Sequence, residues 1–251
     1  MESSQTDTSS LNSRHGLVRR TILACALILF IVYALDYSVE WRRRRLVQEL
    51  STDVQRLRVG LTAETEIQSL SQKYKGTYSK AEKRGDSEES AHYLVAIWSP
   101  LLVVGQNYHT LAGRRAWGAQ AYLPVENGHL SRAYFELASF RSDGLELSAS
   151  ARLAGSTPLA APEGVSYYVY EAHVTGPPTE SLNVELGPAA TPEEYRKSFD
   201  FNLSCLTGFR ECRHVCELMP TAWKDLPSER RIQYGDGRDK VMDSECRKRL
   251  R

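Results

Sequence analysis

Residues 117–153, WGAQAYLPVENGHLSRAYFELASFRSDGLELSASARL, decide the fold class of this chain. Apolar and polar side chains alternate along the stretch, most regularly over residues 145–153, and such alternation is typical of strands with one buried face. Asn127-Gly128 and Asp143-Gly144 interrupt the pattern, and Asn-Gly is the strongest short signal for a tight hairpin turn. The stretch therefore predicts antiparallel strands that are connected by short turns.

Four more segments on either side of this stretch have the composition of strands. Pro100 separates the first two, because proline has no N–H group to donate within a central strand. No helical pattern lies between the strands, so we expect an antiparallel β-meander. The four predicted strands are residues 93–98, 101–105, 166–175 and 181–186.

Helical patterns flank the predicted sheet. A stripe of apolar residues at helical spacing predicts a stalk helix over residues 40–60, which we expect to pack on its own domain. Pairing of this stripe with a second copy, as a homodimer, is the alternative. Thr62 is a candidate N-cap for a second helix that ends at Gly76, and an exposed loop is expected over residues 77–90. The stripe consists of Leu46, Leu50, Val54, Leu57 and Leu61.

A third helix is predicted after the last strand. Thr191-Pro192-Glu193-Glu194 combines an N-cap threonine, a proline in the first turn and a glutamate at the third helical position, which is the pattern of a capping box. The fold class that follows is α+β, with an antiparallel β-meander covered by one or two helices over residues 61–223. Charge dominates residues 224–251, which we expect to form a flexible tail.

An apolar segment precedes the stalk. Residues 21–35 contain no charged side chain, and extension to residue 39 reaches the roughly 20 residues that a bilayer core requires. Trp41 and the four arginines of residues 42–45 then have the composition of a membrane interface. We therefore expect a disordered N-terminus over residues 1–18 and a transmembrane anchor over residues 19–39, with the lipid bilayer contacting residues 21–39.

Two other interpretations of the apolar segment stay open. A cleaved signal peptide would use Val32-Tyr33-Ala34 as its small-residue site and would give a secreted protein. A core helix of a soluble protein is the other, although four consecutive arginines fit poorly beside a soluble core. Three arginines precede the segment and four follow it, so the charges favour a cytoplasmic domain only slightly.

The cysteines give a second indication of the compartment. Cys25 lies in the apolar segment, and the other four lie near the C-terminus. An even number favours disulfides in an exported domain, with Cys205–Cys212 and Cys216–Cys246 as the favoured pairing, because two cysteines on adjacent turns of one helix bridge poorly. A zinc site formed by Cys205, Cys212, Cys216 and His214 is the metal-binding alternative, and free thiols are the third.

No catalytic or cofactor motif occurs in the sequence. It contains no G-x-S-x-G, H-E-x-x-H, P-loop or G-x-G-x-x-G pattern, so we name no catalytic or cofactor-binding residue. The formal net charge of +1 gives no electrostatic reason to expect nucleic-acid binding. Aromatic residues concentrate in two predicted strands, where they suit either a core or a recognition surface: Tyr167, Tyr168, Tyr170, Phe135 and Phe140.

Short motifs add a resemblance. Residues 57–62, LRVGLT, open a helix, and residues 201–206, FNLSCL, are followed by Glu217-Leu218-Met219-Pro220. With these motifs, the chain resembles uncharacterised bacterial membrane-anchored proteins that have one N-terminal span and one small α+β domain. The resemblance implies an architecture and no activity.

Together these features predict a single-span envelope protein whose extracytoplasmic domain binds a protein partner. The competing class is an enzyme whose site is assembled from residues that are distant in sequence. A flat aromatic face on the sheet would favour the binding protein, and a pocket in which histidine and carboxylate groups converge would favour the enzyme.

Overall fold

The computed structural model describes residues 9–80, 90–98, 102–104, 107–109, 116–140, 146–153, 165–172, 179–207, 212–225 and 246. The helices are α1 (Ser9–Arg56), α2 (Glu64–Lys73), α3 (Pro192–Ser198), α4 (Ser204–Thr207), α5 (Val215–Leu218) and α6 (Pro220–Asp225). The strands are β1 (Thr77–Lys80), β2 (Ser90–Trp98), β3 (Leu102–Val104), β4 (Asn107–His109), β5 (Trp117–Glu126), β6 (His129–Leu130), β7 (Ala133–Phe140), β8 (Glu146–Leu153), β9 (Val165–Ala172) and β10 (Thr179–Leu186).

Eight of the strands form one open sheet in the order β1-β2-β5-β7-β8-β10-β9, with β6 added beside β5. The α+β class is confirmed, and most neighbouring strands are antiparallel as predicted. The prediction of a simple meander is wrong at two places. The predicted strand 101–105 corresponds to β3, which pairs with β4 in a separate two-stranded sheet. In addition, β10 pairs with β8 in parallel, and β9 lies outside β10 at the edge of the sheet. Alternation indicates which residues of a strand face the core, but it does not indicate which strand lies next to it.

The sheet has a core face and an outer face. On the core face, Ala121 of β5 lies opposite Phe135 of β7, and Phe135 packs against Phe199 and Phe201, which follow α3. Glu64 of α2 accepts a hydrogen bond on this same face. The helices therefore cover the core face, and the fully buried large side chains include Trp117, Leu123, Leu137, Leu147, Leu153, Leu182 and Leu186.

Helix α1 is continuous from Ser9 to Arg56, so the predicted anchor and stalk are one helix of 48 residues. Residues 9–18 of the segment predicted to be disordered belong to it, and residues 1–8 lie outside the described residues. Its C-terminal part does not project as a stalk, because it forms part of the hydrophobic core. The core therefore begins before residue 61. The buried side chains of this part are Glu40, Val47, Leu50, Val54 and Leu57.

The predicted apolar stripe of α1 is buried at Leu50, Val54 and Leu57, as expected, but is exposed at its two ends, Leu46 and Leu61. Leu46 is 46 % exposed, and Val47 occupies the core position in its place. Leu61 lies beyond the end of the helix and is exposed. Because Leu46 and Val47 are both apolar, only the packing of α1 on the sheet decides which one is buried.

Strand β5 is fixed to α1 at its start and to the segment just after α1 near its end. At its start, the indole Nε1 of Trp117 donates to Oε2 of Glu40 over 2.7 Å. Near its end, Val125 pairs with Leu130 of β6, whose carbonyl accepts a 2.7 Å hydrogen bond from the backbone N–H of Gly60. The C-terminal part of α1 therefore runs alongside β5, from the first residue of the strand towards its last.

The hairpin after β5 contains a bulge. The predicted turn at Asn127-Gly128 is confirmed, with φ of 54° and 73°, values that suit asparagine and glycine. Val125 pairs with Leu130, but Tyr122 pairs with Tyr134, so the returning chain holds one extra residue. The bulge moves every later residue of the hairpin to the opposite face of the sheet.

Several helix ends differ from the prediction. The N-cap of α2 is Ala63, and the hydroxyl of Thr62 instead accepts a hydrogen bond from the N–H of Arg58.

Strand β1 lies in the predicted loop 77–90, of which residues 81–89 are outside the described part. The capping box at Thr191 is confirmed, with both of its hydrogen bonds to Glu194 present. Of the predicted tail 224–251, the structure describes only residues 224, 225 and 246.

The apolar part of α1 is not covered by the described part of the domain. Within the described residues, Arg19–Arg56 is one helix that is long and apolar enough to cross a membrane. Residues 21–39 measure about 28 Å along its axis, close to the roughly 30 Å of a bilayer core. Large apolar side chains are exposed along this part, among them Ile22, Leu27, Leu29, Phe30 and Leu35.

Replacement of Leu50 tests the position of α1 in the core. Leu50→Ala is expected to lower the free energy of unfolding by about 2–5 kcal/mol, because it removes a fully buried side chain and leaves a cavity. Leu46→Ala is the matched control, and its effect should stay within about 0.5 kcal/mol because Leu46 is on the exposed side. Thermal unfolding of the full chain in detergent micelles measures both. Equal losses for the two variants would contradict the packing of α1 described above.

Candidate functional site on the outer face of the sheet

The outer face of the sheet carries the side chains that alternate with the core residues. It divides into two rows. The aromatic row crosses β2, β5 and β7, and the polar row crosses β5, β7, β8 and β10. The aromatic row consists of His92, Leu94, Trp98, Tyr122, Tyr134 and Phe140, and the polar row consists of Gln120, Glu136, Glu146, Ser148, Ser150 and Asn183.

The aromatic row is partly exposed. The imidazole of His92 stacks on the ring of Tyr122, and its Nδ1 lies 2.8 Å from the phenol oxygen, so each ring restricts the other. Leu94 pairs with Tyr122 in the sheet and is exposed, whereas Tyr134 is half-buried. These side chains present apolar area together with hydrogen-bonding groups, a combination that is common at protein interfaces.

Trp98 lies at one end of the aromatic row, directly over Gly118. A Cβ atom at residue 118 would lie 2.3 Å from Cε3 of Trp98, a distance that real structures do not allow. Gly118 therefore provides the space in which the indole ring lies flat on the sheet. Trp98 remains 39 % exposed in this position.

A hydrogen-bonded carboxylate is the centre of the polar row. Glu136 accepts one hydrogen bond from Nε2 of Gln120 and one from the hydroxyl of Ser148, both over 2.6 Å. On the neighbouring strands, the hydroxyl of Ser150 donates to Oδ1 of Asn183. Hydrogen bonds thus connect polar side chains on β5, β7 and β8, and a separate hydrogen bond connects β8 to β10.

Glu146 is the ionisable group of this row with a shifted pKa. Partial burial raises the pKa of its carboxyl group, and the negative charge of Glu136 raises it further. Both effects favour the neutral acid in the folded chain. Ser148 and Ser150 of this row are buried, so its half-buried members Gln120, Glu136, Glu146 and Asn183 are the ones that could hydrogen-bond to a bound molecule.

The sulfur atoms of the C-terminal cysteines lie in two pairs. Cys205 bonds to Cys212 and Cys216 bonds to Cys246, with Cα–Cα distances of 5.1 and 6.0 Å, which is the pairing that the sequence favoured. Cys25 is exposed on the apolar part of α1. The two disulfides join the segments around α4, α5 and residue 246 to one another.

The alternative metal site is not assembled in the described residues. Its three cysteines belong to the two disulfides, and Nδ1 of His214 lies 3.2 Å from Oε1 of Glu180. The other oxygen of Glu180 accepts a hydrogen bond from the backbone N–H of Val215 at the start of α5. No group of three His, Cys, Asp or Glu side chains in the described part could hold a metal ion. The His214–Glu180 contact instead attaches α5 to β10.

The aromatic residues singled out from the sequence lie on different faces of the sheet. Phe135 is in the core, and Phe140 is half-buried on the outer face. In the backbone register, Tyr168 pairs with Asn183 and Tyr170 with Ser181, whereas Tyr167 pairs with the core residue Val184. The contacts of the three tyrosine side chains lie outside the described structure.

A cavity of about 360 Å³ lies away from the outer face, between the end of α1 and the start of α3. Gln55, Arg56, Arg58 and Tyr195 contribute polar side chains to its lining. Burial raises the pKa of the Tyr195 phenol, and the charge of Arg58 opposes this effect. The described lining contains no histidine or carboxylate, so it does not provide the acid–base pair that the enzyme interpretation requires.

Two functional features were missed in the sequence. Glu40 lies four residues after Asp36 and seven before Val47, so its helical spacing with the core residues was a usable signal. The contact of Gln120 with Glu136 could not be predicted, because it depends on the bulge in the β5–β7 hairpin. Without that extra residue, Gln120 would lie opposite Phe135.

Comparisons of the chain with models of protein families, with curated proteins and with solved structures found no match. The function is therefore inferred from the geometry described above.

The raised pKa of Glu146 predicts a pH-dependent stability. Because the folded chain binds this proton more tightly than the unfolded chain does, protonation of Glu146 favours folding at low pH. That contribution is lost as the pH rises through the folded pKa. Glu146→Gln should therefore unfold at a higher temperature than the wild type near pH 7, and the difference should shrink towards pH 4.

Thermal unfolding between pH 4 and pH 8 measures this difference. Glu126→Gln is the matched control, because it removes the same charge from an exposed residue of the β5–β6 turn. A Glu146→Gln effect that stays constant over the whole pH range would show that the carboxyl group has an ordinary pKa.

Proposed function

We propose that this chain is a single-span membrane protein whose α+β domain is held against the extracytoplasmic surface of the bilayer and binds a protein partner through the outer face of its sheet. The continuity of α1 carries the proposal. One helix supplies both the exposed apolar part and the buried side chains of the domain core, without an intervening linker. A partner that is bound by the domain would thereby be held at a fixed height above the membrane.

Cysteine pairing supports the extracytoplasmic side, and the charges that flank the apolar segment oppose it only weakly. Three arginines precede the apolar segment and four follow it, which alone favours a cytoplasmic domain slightly. One of the four, Arg43, forms an ion pair with Glu40 and is largely buried. The charges on the two sides are then nearly balanced. Two disulfides favour an oxidising compartment, because cytosolic thiols are usually kept reduced.

The composition of the outer face supports a protein partner. Exposed Leu94 lies beside the half-buried rings of Tyr122 and Tyr134, and the half-buried polar groups of Gln120 and Glu136 lie at the next outward-facing positions of the same strands. Protein interfaces commonly combine an aromatic centre with a polar surround. Pairing of two copies through the predicted stripe has less support, since Val47 and three other members of the buried face of α1 are covered by their own domain.

Photocrosslinking in native membranes tests the proposal. The full chain carries a photoreactive amino acid at Leu94, or at Leu61 as the matched control, which is exposed but lies outside the outer face. The membranes are washed with alkaline carbonate before analysis. We expect the chain to stay in the membrane pellet and to form one adduct of defined mass from residue 94 and none from residue 61.

Two results would each contradict a different part of the proposal. Extraction of the chain by carbonate would show that α1 is not a membrane anchor. Retention of the chain without an adduct at residue 94, or with the same adduct at residue 61, would show that the outer face is not the binding surface.

A further inference from the structure

One end of the sheet lies at the same level as the end of the apolar segment. Glu40 is the residue that follows residues 21–39, and it accepts the hydrogen bond of Trp117, the first residue of β5. Glu40 is one helical rise, about 1.5 Å, beyond residue 39, so the start of β5 lies within the combined reach of the Glu40 and Trp117 side chains from the end of the apolar part. The domain is therefore not raised above that level by a spacer.

Three further strand ends meet at this level. β2 ends at Trp98, which pairs with Gly118. β7 ends at Phe140, whose backbone N–H donates a 3.1 Å hydrogen bond to the carbonyl of Ala116, and β8 begins opposite it. We call this end of the sheet, formed by the end of β2, the start of β5, the end of β7 and the start of β8, the junction edge.

Tryptophan is exposed on both sides of the junction edge. Trp41 on α1 is 53 % exposed, and Trp98 on the outer face is 39 % exposed. The two side chains lie on opposite sides of the sheet, because α1 covers the core face. Tryptophan is enriched at the headgroup level of membranes, where its ring is buried and its N–H group stays hydrated.

We propose that the junction edge is a second membrane contact, in which Trp98 lies in the headgroup region of the same bilayer that α1 crosses. The inference rests on the proposed membrane span and deepens it. The junction edge is continuous with the proposed membrane span, because the hydrogen bond between Glu40 and Trp117 leaves no spacer between α1 and β5. We therefore propose the bilayer as the surface that this edge contacts. Gly118 supports the contact by keeping the indole flat at the edge.

This contact would fix the tilt of the domain. A single helix allows the domain to rotate and tilt as the helix tilts in the bilayer. A second contact on the opposite face of the sheet restricts that motion, so that the strands extend away from the membrane.

Quenching of tryptophan fluorescence in lipid vesicles tests the inference. The full chain is reconstituted into phosphatidylcholine vesicles that carry a nitroxide either on the headgroup or deep in the acyl chain. Trp98→Phe and Trp41→Phe are each compared with the wild type. Trp98→Phe is expected to remove a large part of the fluorescence that the headgroup nitroxide quenches. It should remove little of the fluorescence that the deep nitroxide quenches.

The Trp41→Phe variant separates the two proposals. If Trp41 contributes to the headgroup-quenched signal and Trp98 does not, the span is supported and the second contact is overturned. If neither contributes, the membrane span itself is overturned. If both contribute and the deep nitroxide is the weaker quencher of Trp98, the junction edge lies at the headgroups.

Discussion

The hydrogen bond between Glu40 and Trp117 is the interaction on which the arrangement of this protein depends. Glu40 is a buried carboxylate at the end of an apolar helical segment, and burial of such a group requires partners for its oxygens. Arg43 satisfies one oxygen and the indole of Trp117 the other. Removal of one partner from a buried ion pair costs about 3–5 kcal/mol in other proteins, because a charge remains unpaired. The two contacts therefore fix α1 against the start of β5.

The position of β5 then determines both faces of the sheet. β5 is a central strand, with β2 on one side and β7 on the other. Its core face packs against α1, and its outer face contributes Gln120 and Tyr122 to the candidate binding surface. The bulge after Leu130 brings Glu136 opposite Gln120, so a single extra residue in the hairpin creates the centre of the polar row. Fold and candidate site thus share one structural origin.

Local signals in the sequence predicted much of this fold. The turn at Asn127-Gly128 and the capping box at Thr191 each depend on neighbouring residues, and each is present in the structure. The alternation over residues 145–153 predicted strand β8 correctly but not its burial, because Ser148 and Ser150 on the face opposite the core are also buried. The favoured cysteine pairing also depended on a local constraint, the poor geometry of a bridge between adjacent turns. The apolar segment was recognised from its length and lack of charge.

The features that were mispredicted depend on contacts between distant residues. The choice of Val47 over Leu46 as a core residue is made by the strand that α1 meets, and both residues are equally apolar in the sequence. The parallel pairing of β8 with β10 depends on the path of the chain to β9. Glu40 looked like an ordinary charged residue beside four arginines, because its partner Trp117 is 77 positions away. The candidate site was missed for the same reason.

Amide hydrogen exchange across residues 40–46 tests the central claim most directly. In lipid nanodiscs, the bilayer would protect the amides before this window, and the domain core would protect those after it. If α1 is one rigid helix fixed by the Glu40–Trp117 contact, the amides of residues 40–46 should exchange as slowly as that of Leu50. Exchange of this window within seconds, between two protected flanks, would show a hinge and would contradict a domain that is held rigidly at the membrane.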